Sequence, residues 1–173
     1  MIWAIRKGFP LPTNGKKINS SFRSNRFHWN VHFGSGGRTK KSCCLASAHK
    51  NYTSLLHSAY RHHIPTLFFT GIEDKALQAK LKSENPTIKI YFGETELLKA
   101  LEEENYDIAL NAIAGSAGLR YSYAILQRNK YLALANKESL VMGGHILTKM
   151  LSNKPILPVD SELSALSQAI GKH

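Results

Sequence analysis

Asp107-Ile108-Ala109-Leu110-Asn111-Ala112-Ile113-Ala114-Gly115-Ser116-Ala117-Gly118-Leu119 decides the fold. Residues 107–113 form a short apolar run, the pattern of a buried strand. Gly115-Ser116-Ala117-Gly118 gathers four small residues into a tight loop. Residues 119–128 then read as a helix, and 131–135 as a second apolar strand. A strand, a helix and a strand joined this closely make a βαβ unit, whose two strands run parallel.

The same alternation extends both ways. Towards the C-terminus, 138–151 reads as a helix, 155–159 as a strand and 161–170 as the start of another helix. Towards the N-terminus, strands are predicted at 66–70 and 88–92. Helices are predicted at 54–62, which Pro65 ends, at 73–83 and at 94–104. The 73–83 helix spaces Leu77 and Leu81 at i, i+4 with acids at its start, and 94–104 puts Leu97, Leu98 and Leu101 on one face. These units imply an α/β fold: a doubly wound, mostly parallel, Rossmann-like sheet with helices on both faces, incomplete at both ends.

Residues 1–44 break the pattern. They show no period of 2 or 3.6 and carry Gly, Ser, Asn and Pro punctuation, including Gly34-Ser35-Gly36-Gly37. The predicted division is an irregular basic segment over 1–44, the Rossmann-like domain over 45–159, and the start of a further domain over 160–173. Charge follows the same boundary. Net charge is +11, and residues 1–72 hold 11 of the 23 basic residues and none of the 12 acidic ones. One functional reading is a basic arm for nucleic acid, with Phe22, Phe27, Trp29 and Phe33 among Arg23, Arg26 and His28 for base stacking. The chain would then be a non-catalytic α/β binding module.

At 173 residues the chain can bury one substantial core. No run of eighteen apolar residues exists, so no membrane span is expected. Residues 1–17 lack the apolar core of a signal peptide. Cys43 and Cys44 are adjacent, have no second pair with which to bind metal, and read as reduced thiols of a cytoplasmic protein.

Ligands of open α/β sheets bind beyond the carboxyl ends of the strands. Three polar clusters fall at such ends: Gly115–Gly118, Asn136-Lys137-Glu138 and Asp160-Ser161-Glu162. Small residues in the first allow close approach to the backbone, though a plain tight turn has the same composition. Asn136 and Glu138 suit a capped helix start, while Lys137 can serve as a point charge for a phosphorylated or hydroxylated substrate. Asp160 and Glu162 can converge at a strand-to-helix turn, where two hard oxygen ligands suit Mg²⁺ or Mn²⁺; helix capping by Asp160 or Ser161 is the alternative.

Taken together, Leu134-Ala135-Asn136-Lys137-Glu138-Ser139-Leu140-Val141, Ile156-Leu157-Pro158-Val159-Asp160-Ser161-Glu162 and residues 111–119 resemble the 1-deoxy-D-xylulose 5-phosphate reductoisomerase family. The likeness runs from about residue 45 to 168. It implies an NADPH- and divalent-metal-dependent enzyme of the non-mevalonate isoprenoid route, homodimeric at full length. Its substrate is 1-deoxy-D-xylulose 5-phosphate and its product 2-C-methyl-D-erythritol 4-phosphate. By resemblance, Asn136 and Glu138 contact NADPH, as do His49, Lys50 and Asn51 at its adenosine end, where a cation at Lys50 favours the 2′-phosphate. Lys137, Ser161 and Glu162 contact substrate, and Asp160 and Glu162 bind the metal. The metal polarises a carbonyl during the skeletal rearrangement, and NADPH then supplies hydride.

Three departures make the expected activity of the chain by itself low. Leu163 stands where the family has His. The chain stops before the family's third metal carboxylate and lid. The family's glycine-rich phosphate loop is missing from residues 1–50, where Gly34-Ser35-Gly36-Gly37 has the wrong spacing. A one-nucleotide shift of frame across residues 19–44 would restore a strand, that loop and a helix in the family's order, which makes a frameshift the expected cause.

Overall fold

The computed structural model describes residues 1–5, 18–19, 32–33, 43–150 and 156–159. Seven strands form the main sheet: β1 (Ile2–Ile5), β4 (Cys43–Ala48), β5 (Thr66–Phe69), β6 (Lys89–Phe92), β7 (Ile108–Asn111), β8 (Tyr131–Leu134) and β9 (Ile156–Pro158). Their order is β6-β5-β4-β1-β7-β8-β9. Two further strands, β2 (Ile18–Asn19) and β3 (His32–Phe33), pair antiparallel in a separate ribbon. Among the described residues, five helices alternate with the main strands: α1 (Tyr52–His62), α2 (Lys75–Glu84), α3 (Glu94–Glu103), α4 (Gly118–Gln127) and α5 (Lys137–Lys149). The predicted doubly wound α/β fold is present, and the predicted helix at 161–170 lies outside the described residues.

Capping explains where the helices begin. Asn51 Oδ1 accepts from Ser54 N–H at 3.1 Å, so α1 starts at Tyr52, two residues before the predicted start. Asp74 accepts from Ala76 and Leu77 N–H, so α2 starts at Lys75 and the acid at 74 caps it from outside.

The pairs β4–β5, β5–β6, β7–β8 and β8–β9 are parallel, as the βαβ pattern requires. Between β4 and β7 the winding reverses, and there β1 lies antiparallel to both neighbours. This corrects the reading of 1–44 as wholly irregular: Ile2–Ile5 fills the centre of the sheet. The boundary at 45 also moves, because β4 begins at Cys43. Four successive apolar residues, Ile2-Trp3-Ala4-Ile5, are too few to show a period, and composition says nothing of a strand's direction.

Alternation along β1 feeds both faces. Ile2 and Ala4 are fully buried on one side, with Leu97, Leu101, Tyr106, Tyr121, Ile125 and Leu132. Trp3 joins Leu55, Leu67, Phe69, Ile90, Leu110 and Leu157 on the other. Two hydrophobic layers therefore sandwich one sheet, the arrangement that buries strands on both faces. Among the described residues, no helix is long and apolar enough to cross a membrane.

Candidate functional site

The carboxyl ends of β4, β5, β7, β8 and β9 share one edge of the sheet, and the chain segments that leave them build the candidate site. β4 and β8 are three strand spacings apart, roughly 14 Å, a span that suits an extended ligand.

After β4 come His49 and Lys50, both exposed, then Asn51. The side chain of Asn51 is used in capping α1, a role not assigned to it from the sequence. His49 Nδ1 lies 3.2 Å from Thr70 Oγ1 at the end of β5, and Gly71 N–H donates to His49 O at 2.9 Å. The His49 ring rests on Gly71: a Cβ there would sit 2.2 Å from His49 Cε1. Gly71→Ala is expected to swing this exposed ring away and break its contact with Thr70. Because the ring can move into solvent, the melting temperature should change little. The His49 imidazole NMR signals should shift, and signals that stay in place would show that the ring does not rest there.

β8 delivers Asn136, Lys137 and Glu138. Asn136 is buried and caps α5, its Oδ1 accepting from Ser139 N–H at 2.6 Å. Glu138 lies in the first turn of α5, where its charge complements the helix dipole. Lys137 is exposed. Asn136 Nδ2 donates to Ile113 O, and also to Gly115 O at 2.9 Å. The turn after β8 is thereby bonded to the loop after β7. Gly115 has φ +73°, a left-handed conformation that costs glycine little. Asn111, fully buried at the end of β7, supports the same loop. Its role was not read from the sequence, although one polar residue ending an apolar strand was a usable signal.

Beside these groups, Ser139 Oγ is fully buried and has no hydrogen-bond partner among the described residues. A buried hydroxyl left unpaired costs about 1–3 kcal/mol. Ser139→Ala is therefore expected to hold or raise stability, by up to about 1 kcal/mol in urea denaturation. A loss of that size would point instead to a partner for the hydroxyl.

Another unforeseen cluster ties α3 to α4. Glu94 accepts from Arg120 Nη1 at 2.5 Å and from the Tyr121 hydroxyl at 2.7 Å. Burial, followed by the bond to Glu94, pushes the Tyr121 phenol above its ordinary range. A pocket of about 340 Å³, lined by Phe68, Tyr91, Lys89 and Lys99 among others, lies elsewhere, beside edge strand β6 and α3.

β9 runs to Pro158, and Val159 N–H donates to Leu134 O at 3.0 Å, which keeps the chain in line with β8. The predicted metal and substrate residues Asp160, Ser161 and Glu162 lie outside the described residues. Among the described residues, no group of three or more His, Cys, Asp or Glu could hold a metal ion. His49, Lys50 and Asn51 thus cluster at the β4 exit, and Asn136, Lys137 and Glu138 at the β8 exit. Both lie at the same sheet edge.

The family model for 1-deoxy-D-xylulose 5-phosphate reductoisomerase matches residues 39–144, more than half of the chain. The chain is 35% identical over 122 residues to the reductoisomerase of Phocaeicola vulgatus, covering 69% of this chain and 32% of that protein. It is 52% identical over 79 residues to that of Tropheryma whipplei, covering 45% and 22%. Among solved structures, the reductoisomerase from Zymomonas mobilis in complex with NADPH matches with TM-score 0.65 and 30% identity, over 75% of this chain and 34% of that one. A DOX-P reductoisomerase in complex with NADPH, fosmidomycin and magnesium matches with TM-score 0.65 and 28% identity, over 74% and 32%. The chain spans about a third of the length of the first of these curated relatives.

Proposed function

The chain belongs to the 1-deoxy-D-xylulose 5-phosphate reductoisomerase family, and on that premise we propose that it supplies the NADPH-binding part of such an enzyme. The observation that carries the reading is the pairing of the Asn136-Lys137-Glu138 turn with the Ile113–Gly118 loop, beside the point where the winding of the sheet reverses. Dinucleotides bind at that point in this class of fold. The solved relative from Zymomonas mobilis holds NADPH, which is the reason to name this cofactor.

In this reading His49, Lys50 and Asn51 take the adenosine end, and the exposed Lys50 ammonium favours a 2′-phosphate. Asn136 and Glu138 serve the cofactor from the β8 exit. Lys137, Ser161 and Glu162 bind the sugar phosphate, and Asp160 and Glu162 offer hard carboxylate oxygens to Mg²⁺ or Mn²⁺. A solved relative contains magnesium, which supports the same choice. Bound NADPH supplies hydride, and the metal supplies Lewis acidity. The residues of this chain orient the ligands and hold their charges. Residues 45–159, with β1 added, make the cofactor domain, and 160–173 open the catalytic part. The proposed setting is the cytoplasm, and the proposed assembly a homodimer.

One feature argues for weak cofactor affinity. Because β1 runs antiparallel, the chain leaves it at Ile5, at the sheet edge opposite the site. Among the described residues, no helix N-terminus follows β1 at the pyrophosphate position, the usual seat in this fold.

A thermal-shift titration tests the proposal. NADPH with Mn²⁺ is expected to raise the melting temperature, with NADH less effective. At ten times Kd the gain is about 1.4 kcal/mol, or roughly 3–6 °C. No shift with millimolar NADPH would defeat the proposal. Oligonucleotide binding that weakens steeply with salt, without any response to NADPH, would favour the basic-arm reading in its place.

A further inference from the structure

Two buried asparagines, Asn111 at the end of β7 and Asn136 just after β8, bond to one loop. Asn111 Oδ1 accepts from Ile113 N–H at 3.1 Å, and Asn136 Nδ2 donates to Ile113 O. The Ile113 peptide unit is thus held at both its donor and its acceptor. Asn111 Nδ2 also donates to Gly118 O at 2.7 Å and to Ser122 Oγ at 2.8 Å. Asn136 Nδ2 also reaches Gly115 O at 2.9 Å. The loop is fixed at its start, its left-handed turn and its end. Between those points Ala114, Ser116 and Ala117 are exposed and small.

Both donors of the Asn136 side chain are committed, and its acceptor is bonded and buried. A primary amide has two N–H donors and one carbonyl. Both donors go to loop carbonyls, and the carbonyl oxygen goes to Ser139 N–H. The residue is 2% exposed. A flipped amide would set its N–H groups against the Ser139 N–H and its oxygen against two carbonyls, so the partners fix the orientation. With both donors bonded and the second lone pair of Oδ1 buried, the amide offers a ligand no open group.

We propose that Asn136 and Asn111 are positioning residues that preset the Ile113–Gly118 loop for the cofactor, and that the Asn136 side chain does not itself touch the cofactor. The cofactor half of the proposal rests on the function proposed above. A loop ordered in advance spares the ligand the entropy of ordering it.

Asn136→Asp separates the two roles of the residue. It keeps an acceptor for Ser139 N–H but turns carboxylate oxygen towards Ile113 O and Gly115 O. Hydrogen exchange on the full chain without cofactor is the primary readout. Exchange across residues 113–119 is expected to rise at least tenfold in Asn136→Asp, with Ser139 N–H still protected. Asn111→Ala should open the same segment, and the double variant should add less than the two single effects together, because both act on one loop. Ser122→Ala, which removes one partner of Asn111, gives a smaller rise and serves if the other variants fail to fold. NADPH affinity should fall in step with loop opening.

An Asn136→Asp chain that binds NADPH weakly while its loop exchanges at the wild-type rate would show direct contact and overturn the proposal. Unchanged exchange in all variants would overturn it as well. A wild-type chain that ignores NADPH defeats the function proposed above and the cofactor half of this proposal. The exchange data still decide whether the clamp exists.

Discussion

Ile2→Ala is expected to lower the unfolding free energy by about 2–5 kcal/mol, the usual range for emptying a fully buried Ile site. In a chain of this size that corresponds to a fall of roughly 5–15 °C in melting temperature. Ile2 pairs with Asn111 of β7, its N–H donates to Ser47 Oγ of β4 at 2.8 Å, and its side chain lies in the layer that holds Leu97, Tyr106 and Ile125. Truncation leaves a cavity in the middle of the sheet, where neighbours on both sides are themselves packed and cannot collapse into it. Ile2→Val should cost only about 0.5–1.5 kcal/mol, which separates lost packing from general disturbance. Urea denaturation of the three proteins gives the answer. A loss below about 0.5 kcal/mol for Ile2→Ala, typical of surface sites, would place β1 outside the sheet.

That test addresses a strand whose place the sequence did not disclose. From β5 to β9 the apolar runs were long enough, and the punctuation sharp enough, for position and direction to be read. Pro65 stops α1 short of β5, and the run Ile108–Asn111 passes into a small-residue loop. The starts of α1 and α2 each shifted by two residues because Asn51 and Asp74 cap them from just outside the helix. β1 escaped because pairing across 38 or more residues is set by which edges are vacant in the folded sheet, and local pattern does not encode this. The candidate site divides similarly. The cap at Asn136 follows from its place before an apolar helix. The bonds from Asn136 to Ile113 and Gly115, and the seating of His49 on Gly71, join residues more than twenty positions apart, and no spacing rule points to them. Asp160, Ser161 and Glu162 were the clearest chemical signal in the sequence, and their assignment still rests on the family.

The second large effect concerns the thiols that flank β1. In the native chain, Cys43 is expected to alkylate about a thousandfold more slowly at pH 8 than an ordinary thiol, because the thiolate is the reactive form. Cys43 Sγ lies 3.4 Å from Ala4 O and 3.1 Å from Leu45 O, and Cys44 Sγ lies 3.2 Å from the same Ala4 carbonyl. Ala4 O sits where the β1–β4 register shifts, so it has room to accept from both sulfurs. Burial first, then the neighbouring Cys44, pushes the Cys43 thiol up to about 12, against an ordinary value of 9.0. The sign for stability follows. The folded state favours the neutral thiol, so this contribution is intact below about pH 9 and is lost as pH rises towards 12. Iodoacetamide labelling with peptide mass mapping measures the rate, and the same chain in guanidinium gives the reference. Native labelling of Cys43 at the unfolded rate would mean that β1 does not cover β4. Ile2→Ala should then also prove silent, because both effects depend on the same four residues occupying the centre of the sheet.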